Sequence, residues 1–256
     1  MTMSTSPSTL VNPHLEGAPF FWEAGPVGVL LVHGFTATAA EVRPLAHQLR
    51  QAGYTVAGPL LAGHGTTPQE LNQTGWRDWV RSVEVVYERL VARCSQVFLG
   101  GESMGAVLAL YLASRHPEPV GILLYAPAIR LLLRPRDVIR LYLAAPVVAA
   151  VPKGGIDSAE AWQGYRVNPL RATTQLLRLD RRVRRRLHLV RQPILIVQGR
   201  KDATIDPRSG DIVRRGVGSS VCELHWMEHS SHTVILDREL DQVSAVTLEF
   251  MRRAAP

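Results

Sequence analysis

"QVFLGGESMGAVLALYLASRHP" (96–117) joins two patterns without a gap. Residues 96–102 form an apolar run closed by glycines, as in a strand buried on both faces. Residues 104–117 are small and apolar and stop at Pro117, as a buried helix does. Gly101, Ser103 and Gly105 stand at the junction in G-x-S-x-G spacing. That spacing alone arises by chance in about one chain in ten of this length, given ordinary glycine and serine frequencies. The strand before it and the helix after it give it meaning, because a serine on so sharp a turn is lifted above the carboxyl edge of a sheet.

The same alternation extends in both directions. Apolar runs at 28–34, 55–61, 120–128 and 193–199 read as further strands, and the partly alternating 220–227 as the last one. Amphipathic stretches at 39–53, 74–93, 206–216 and 236–254 read as helices between them, with Pro44 in the first turns of one and Gly53 at its end. Asp206 reads as the cap of the helix that Pro207 opens. Strand–helix alternation of this kind predicts an α/β fold with an open, mostly parallel sheet and right-handed crossovers. One section breaks the rhythm. About 65 residues separate the strand ending near Ala128 from the strand at Pro193, far more than a crossover needs. They contain two helical patterns and a loop, "PKGGID" (152–157), and read as a small, mainly helical cap over 129–192. The core is then 19–128 and 193–256, and the polar residues 1–18 read as a disordered tail.

Composition narrows the class. The chain has 256 residues, 46% hydrophobic and 20% charged, as in an ordinary globular protein. Cys94 and Cys222 cannot make a disulfide scaffold or a metal site, and read as buried thiols. No apolar core of a signal peptide lies near the start, and no run is long enough to span a membrane, so the expected location is cytoplasmic, without stable membrane insertion. The net charge is +7, but it is concentrated: residues 128–192 carry fourteen Lys or Arg against four Asp or Glu. The rest of the chain is slightly acidic, with 15 basic and 18 acidic residues. A solvated helix face explains most of the basic excess; attraction of anionic esters or interfaces is the sharper reading. No nucleic-acid motif accompanies it, so no nucleic-acid partner is expected.

A serine hydroxyl is a weak nucleophile until a base takes its proton. On this kind of turn the base and its orienting carboxylate come later, in the order Ser, Asp or Glu, His. Asp202 lies three residues past a strand end in "VQGRKDATIDP" (197–207) and is favoured over Asp206, which has a cap to make. "MEHSSHTVILD" (227–237) offers His229 and His232, while His225 lies inside a strand. Two N–H groups must receive the developing oxyanion. Met104, following the serine, supplies one, and Phe35 in "LLVHGFTA" (30–37) supplies the other. His33 fits a hydrogen-bonding role within that loop.

The set "HGF", "GHG" (63–65), "GESMG", "GRKD" and "SSH" resembles the α/β-hydrolase superfamily, and within it bacterial carboxylesterases and monoacylglycerol lipases. The resemblance runs from about residue 19 to 254, outside the cap. It implies Ser103 as nucleophile, Asp202 as acid, His232 as base, and Phe35 and Met104 as oxyanion donors. Gly101, Glu102 and Gly105 complete the nucleophile elbow. Departures are small: Ser231 replaces the usual glycine before the histidine, and Ala106 a second glycine after the elbow. Glu102 is unusual at its position, and reads either as a partner for a neighbouring polar group or as a tuning group for His232. The implied activity is hydrolysis of short- to medium-chain acyl esters through an acyl-enzyme, with no metal and no cofactor. Monoacylglycerol lipase is the alternative; C–C hydrolase, perhydrolase and a non-catalytic binding module rank lower. Ile129, Leu132, Ile139, Leu143 and Val147 are the expected apolar lining of the substrate pocket. The partner is a small ester, and the expected assembly is a monomer or homodimer.

Overall fold

The computed structural model describes residues 10–154 and 160–255. In chain order the strands and helices before the serine turn are β1 (Leu10–Val11), β2 (Phe20–Trp22), β3 (Val27–Val32), α1 (Arg43–Gln51), β4 (Thr55–Gly58), α2 (Pro68–Leu71), α3 (Trp76–Val91) and β5 (Gln96–Glu102). After it come α4 (Met104–Ala113) and β6 (Gly121–Tyr125). The inserted segment holds α5 (Pro135–Ala144), β7 (Ala150–Pro152), β8 (Gly164–Tyr165), β9 (Val167–Pro169) and α6 (Leu170–Arg184). The chain closes with β10 (Ile194–Gly199), α7 (Ser209–Gly216), β11 (Cys222–Met227) and α8 (Leu240–Ala254).

The main sheet has seven strands in the order β11-β10-β6-β5-β3-β4-β2. Only β2 is antiparallel to its neighbour. The central strands are buried almost throughout because both faces are covered, which is why they read as unbroken apolar runs. α4 is buried on every side: it packs on the sheet and is covered by α3 and α6. That position explains a helix with no polar face. From β3 the chain crosses outward to β4, then back past β3 to β5. The order therefore reverses between β3 and β5, and the crevice above their carboxyl ends is where such folds bind ligands.

Several expectations need correction. Residues 10–18 are not a loose tail, although residues 1–9 lie outside the described residues. β1 pairs antiparallel with β8 of the inserted segment, and Gln163 Nε2 donates to the Asn12 and Leu15 carbonyls. Polar composition hid this order, because backbone and amide groups rather than apolar burial fix it. The inserted segment holds its two helices, α5 and α6, and also a short antiparallel pair, β7 with β9. Residues 155–157 of its expected loop lie outside the described residues. Asp206 does not cap α7, which begins at Ser209 without a side-chain cap. Its carboxylate instead accepts from the Arg208 N–H and meets the guanidinium groups of Arg208 and Arg130. Cys94 and Cys222 are free and half-buried rather than buried. Among the described residues no helix is long and apolar enough to cross a membrane.

Candidate active site

Ser103 follows the last residue of β5 and precedes α4, with φ +56° and ψ −113°. This left-handed conformation is strained for a residue with a Cβ. Neighbouring glycines make it possible. A Cβ on Gly105 would stand 1.9 Å from the Val32 carbonyl oxygen, and one on Gly101 would stand 2.5 Å from both that oxygen and the Gly105 carbonyl carbon. The turn is held by the Ser103 N–H donating to the Tyr125 carbonyl at 2.9 Å and the Ala128 N–H donating to the Ser103 carbonyl at 3.1 Å.

His232 and Asp202 reach the serine from the loops after β11 and β10. His232 Nε2 lies 2.8 Å from Ser103 Oγ, and His232 Nδ1 lies 2.8 Å from Asp202 Oδ2. The other Asp202 oxygen accepts from the Thr204 and Ile205 N–H groups, at 2.8 and 3.2 Å. A carboxylate so engaged fixes Nδ1 as the protonated ring nitrogen and leaves Nε2 free to accept from the hydroxyl. The Asp202 side chain is 2% exposed, so its carboxylate is shielded from water. Asp237 holds the histidine loop by accepting from the Ser231 N–H and hydroxyl, a bond the usual glycine could not complete. Asp206, His225 and His229 lie elsewhere: Asp206 with its arginines, His225 beside Glu223, and the His229 N–H on Glu239.

The loop after β3 faces the serine. The Leu61 N–H donates to His33 Nε2 at 3.1 Å, so Nδ1 carries the proton and donates to the Gly34 carbonyl at 2.9 Å. Burial lowers the His33 pKa to about 4, which keeps the ring neutral in that role. Gly34 and Phe35 line a cavity of about 290 Å³ together with Ser103 and His232. Met104 begins α4, so its N–H is among those the helix leaves unpaired at its N-terminus.

Leu131, Leu133, Leu176 and Trp162 supply the apolar wall of this cavity. The five residues expected there do not. Ile129 is fully buried in the core, and Leu132, Ile139, Leu143 and Val147 are 58, 62, 73 and 85% exposed. In the stretch leaving β6, Leu131 is bridged to Ile205, and Leu131 and the part-exposed Leu133 border the cavity while Leu132 does not. Helix α5 buries none of its residues. Glu41, Lys153 and Trp162 also line the cavity, and the sequence reading missed all three. Glu41 offered one signal, a carboxylate in an otherwise apolar turn soon after the "HGF" loop.

Glu102 is fully buried, and neither carboxylate oxygen has a hydrogen-bond partner of regular geometry. Burial drives its pKa well up, the Glu41 and Asp202 carboxylates add to this, and the nearby Ile235 and Val234 N–H groups oppose it.

A family model described as serine aminopeptidase S33 matches residues 27–239. The chain belongs to this family, one of the α/β-hydrolases. Among family relatives, the thermostable monoacylglycerol lipase of Bacillus sp. strain H-257 is 36% identical over 258 residues, covering 95% of this chain and 98% of that protein. A carboxylesterase of Bacillus subtilis strain 168 is 30% identical over 239 residues, covering 92% and 96%. A solved structure reported under the metagenome-derived lipolytic enzymes LipS and LipT is similar at TM-score 0.87 and 34% identity, over 93% of this chain and 98% of that one. The monoacylglycerol lipase of Paleococcus ferrophilus shares the fold at TM-score 0.80 and 16% identity, over 94% and 100%.

Proposed function

We propose that this S33-family protein is a serine carboxylic-ester hydrolase that works through an acyl-enzyme. The observation that carries the reading is the unbroken hydrogen-bond chain Asp202–His232–Ser103 ending on a positive-φ serine. His232 Nε2 takes the Ser103 proton as Oγ attacks the ester carbonyl. Asp202 holds the ring tautomer and stabilises the imidazolium. The N–H groups of Phe35 and Met104 receive the oxyanion. His232 returns its proton to the leaving alcohol, then takes one from water as the water oxygen attacks the acyl carbon; the acyl–Oγ bond breaks, His232 gives that proton to Ser103 Oγ, and the acid is freed.

The cavity volume of about 290 Å³ lies at the small end for small-molecule sites and supports short- to medium-chain acyl groups. Monoacylglycerol hydrolysis is the second reading, favoured by the 36% identity to the Bacillus lipase. Rates on p-nitrophenyl esters from acetate to palmitate, beside monoacylglycerols, separate the two.

Ser103→Ala should lower kcat on p-nitrophenyl butyrate by about 10⁴-fold or more with the Tm preserved. Asp202→Asn should cost about 10⁴-fold through the wrong histidine tautomer, while Asp206→Asn stays within a few-fold. Activity surviving Ser103→Ala, or a larger kcat loss in Asp206→Asn than in Asp202→Asn, would refute this mechanism.

A further inference from the structure

Glu41 is a buried carboxylate beside the serine that this mechanism does not use. It is 2% exposed and borders the cavity. Its two oxygens serve two parts of the molecule. One accepts from the Gly34 N–H at 2.5 Å, and the other accepts from the Trp162 Nε1–H at 3.0 Å. Gly34 belongs to the loop that carries the Phe35 N–H, and Trp162 belongs to the inserted segment.

The geometry of that loop follows from its peptide planes. A trans peptide points its C=O and N–H in opposite directions. His33 Nδ1–H holds the Gly34 carbonyl, which turns the Phe35 N–H the other way. Glu41 holds the preceding plane through the Gly34 N–H. Two adjacent planes are thus fixed by two buried side chains. The inserted segment adds its own ties: the Tyr165 N–H donates to the Thr36 carbonyl at 3.0 Å, and the Thr38 N–H to the Gln163 carbonyl at 3.1 Å. Lys153 Nζ donates to Thr36 Oγ1 at 2.7 Å and lies 4.2 Å over the Trp162 ring. Burial raises the Glu41 pKa, and the Gly34 N–H and Lys153 lower it, while burial brings the Lys153 pKa down to about 8.

We infer that Glu41 is a positioning residue: it holds the Gly34–Phe35 turn in the geometry that presents the Phe35 N–H to the oxyanion, and through Trp162 it makes that geometry depend on the seating of the inserted segment. The inference rests on the ester-hydrolase reading above. Glutamine is the informative replacement. Its amide has nearly the shape of the carboxylate, but only one end accepts, so either the Gly34 or the Trp162 N–H would face an NH2 group.

The experiment measures kcat and KM on p-nitrophenyl butyrate, and Ki for a trifluoromethyl ketone that forms a tetrahedral adduct with the serine. The proteins are the full chain and its variants Glu41→Gln, Glu41→Ala and Trp162→Phe. Thermal melts establish that each variant is folded. Glu41→Gln should lower kcat about 10- to 100-fold, below the loss for removing an oxyanion donor outright. KM should stay within about two-fold, and ketone binding should weaken by the same factor as kcat, since both depend on the oxyanion site. Trp162→Phe should show the same pattern at smaller size. A folded Glu41→Gln variant with unchanged kcat, a loss confined to KM, or a kcat loss without weaker ketone binding would overturn the inference. A wild-type protein that neither hydrolyses the ester nor binds the ketone would overturn the hydrolase reading as well, so the two failures are told apart by the wild-type control.

Discussion

Ser103 and Glu102 are chain neighbours with opposite requirements. In the proposed mechanism the serine must be reached by substrate, and the glutamate is sealed from water with no regular hydrogen-bond partner. An ionised carboxylate there would cost several kcal/mol, so the group resists losing its proton. The sign of its linkage to stability follows. The folded-state pKa lies above the unfolded value of about 4.3, so the folded state holds the proton longer, and stability falls as pH rises from that value toward the folded pKa. Glu102→Gln removes this titration. The variant should melt a few degrees above the wild type at pH 8, about 1–2 kcal/mol in a chain of this size, with the gain shrinking toward pH 5. Melting curves at pH 5, 6.5 and 8 check it, and a pH-independent difference would refute it. At this scale the sequence was legible where chemistry imposes spacing. Ser103, Asp202 and His232 stand at strand ends in a fixed order, and the structure brings them within hydrogen-bond reach. Glu41 was not legible, because its partners Gly34 and Trp162 meet only after the inserted segment has folded back on the loop.

Elements divide along similar lines. The central strands were readable because burial on both faces forces continuous apolar runs, and α4 was readable because it has no solvent face. The pocket lining was misread because an amphipathic pattern does not announce what its apolar face covers. Residues 139, 143 and 147 repeat at helical spacing, but α5 ends at Ala144 and leaves Val147 beyond it, and all three side chains are largely exposed. β1 was missed because two residues paired with two others carry no periodic signal. The α5 correction has a direct consequence. Ile139→Ser, Leu143→Ser and Val147→Ser together should leave kcat/KM on p-nitrophenyl butyrate within about two-fold, because none lines the cavity. Each exposed substitution should move stability by no more than about 0.5 kcal/mol. Leu131→Ser and Leu133→Ser, at the cavity wall, should instead raise KM several-fold. A loss of activity in this triple variant comparable to that at the wall would restore the stripe as substrate lining.

For the whole molecule the governing feature is charge separation. Residues 128–192 carry a net +10, and the remainder a net −3, from 14 basic against 4 acidic and 15 basic against 18 acidic residues. The basic part includes the segment bordering the cavity: Arg130 and Arg134 are exposed on either side of Leu131 and Leu133. Such a field has little effect on the fold but acts on a charged substrate before contact. Its reach is set by salt, since the screening length falls from about 30 Å at 0.01 M to about 3 Å at 1 M. An ester bearing a remote carboxylate should therefore lose kcat/KM several-fold between these ionic strengths, mainly through slower association, while a neutral ester of equal length should change little. The comparison is internal, because salt effects on the protein itself act on both substrates alike. If the two esters respond in parallel, the basic face is a solvated surface with no part in substrate capture. If only the anionic ester responds, the inserted segment has two separable effects on the site: its backbone and Trp162 fix the loop beside the serine, and its arginines set which esters arrive there.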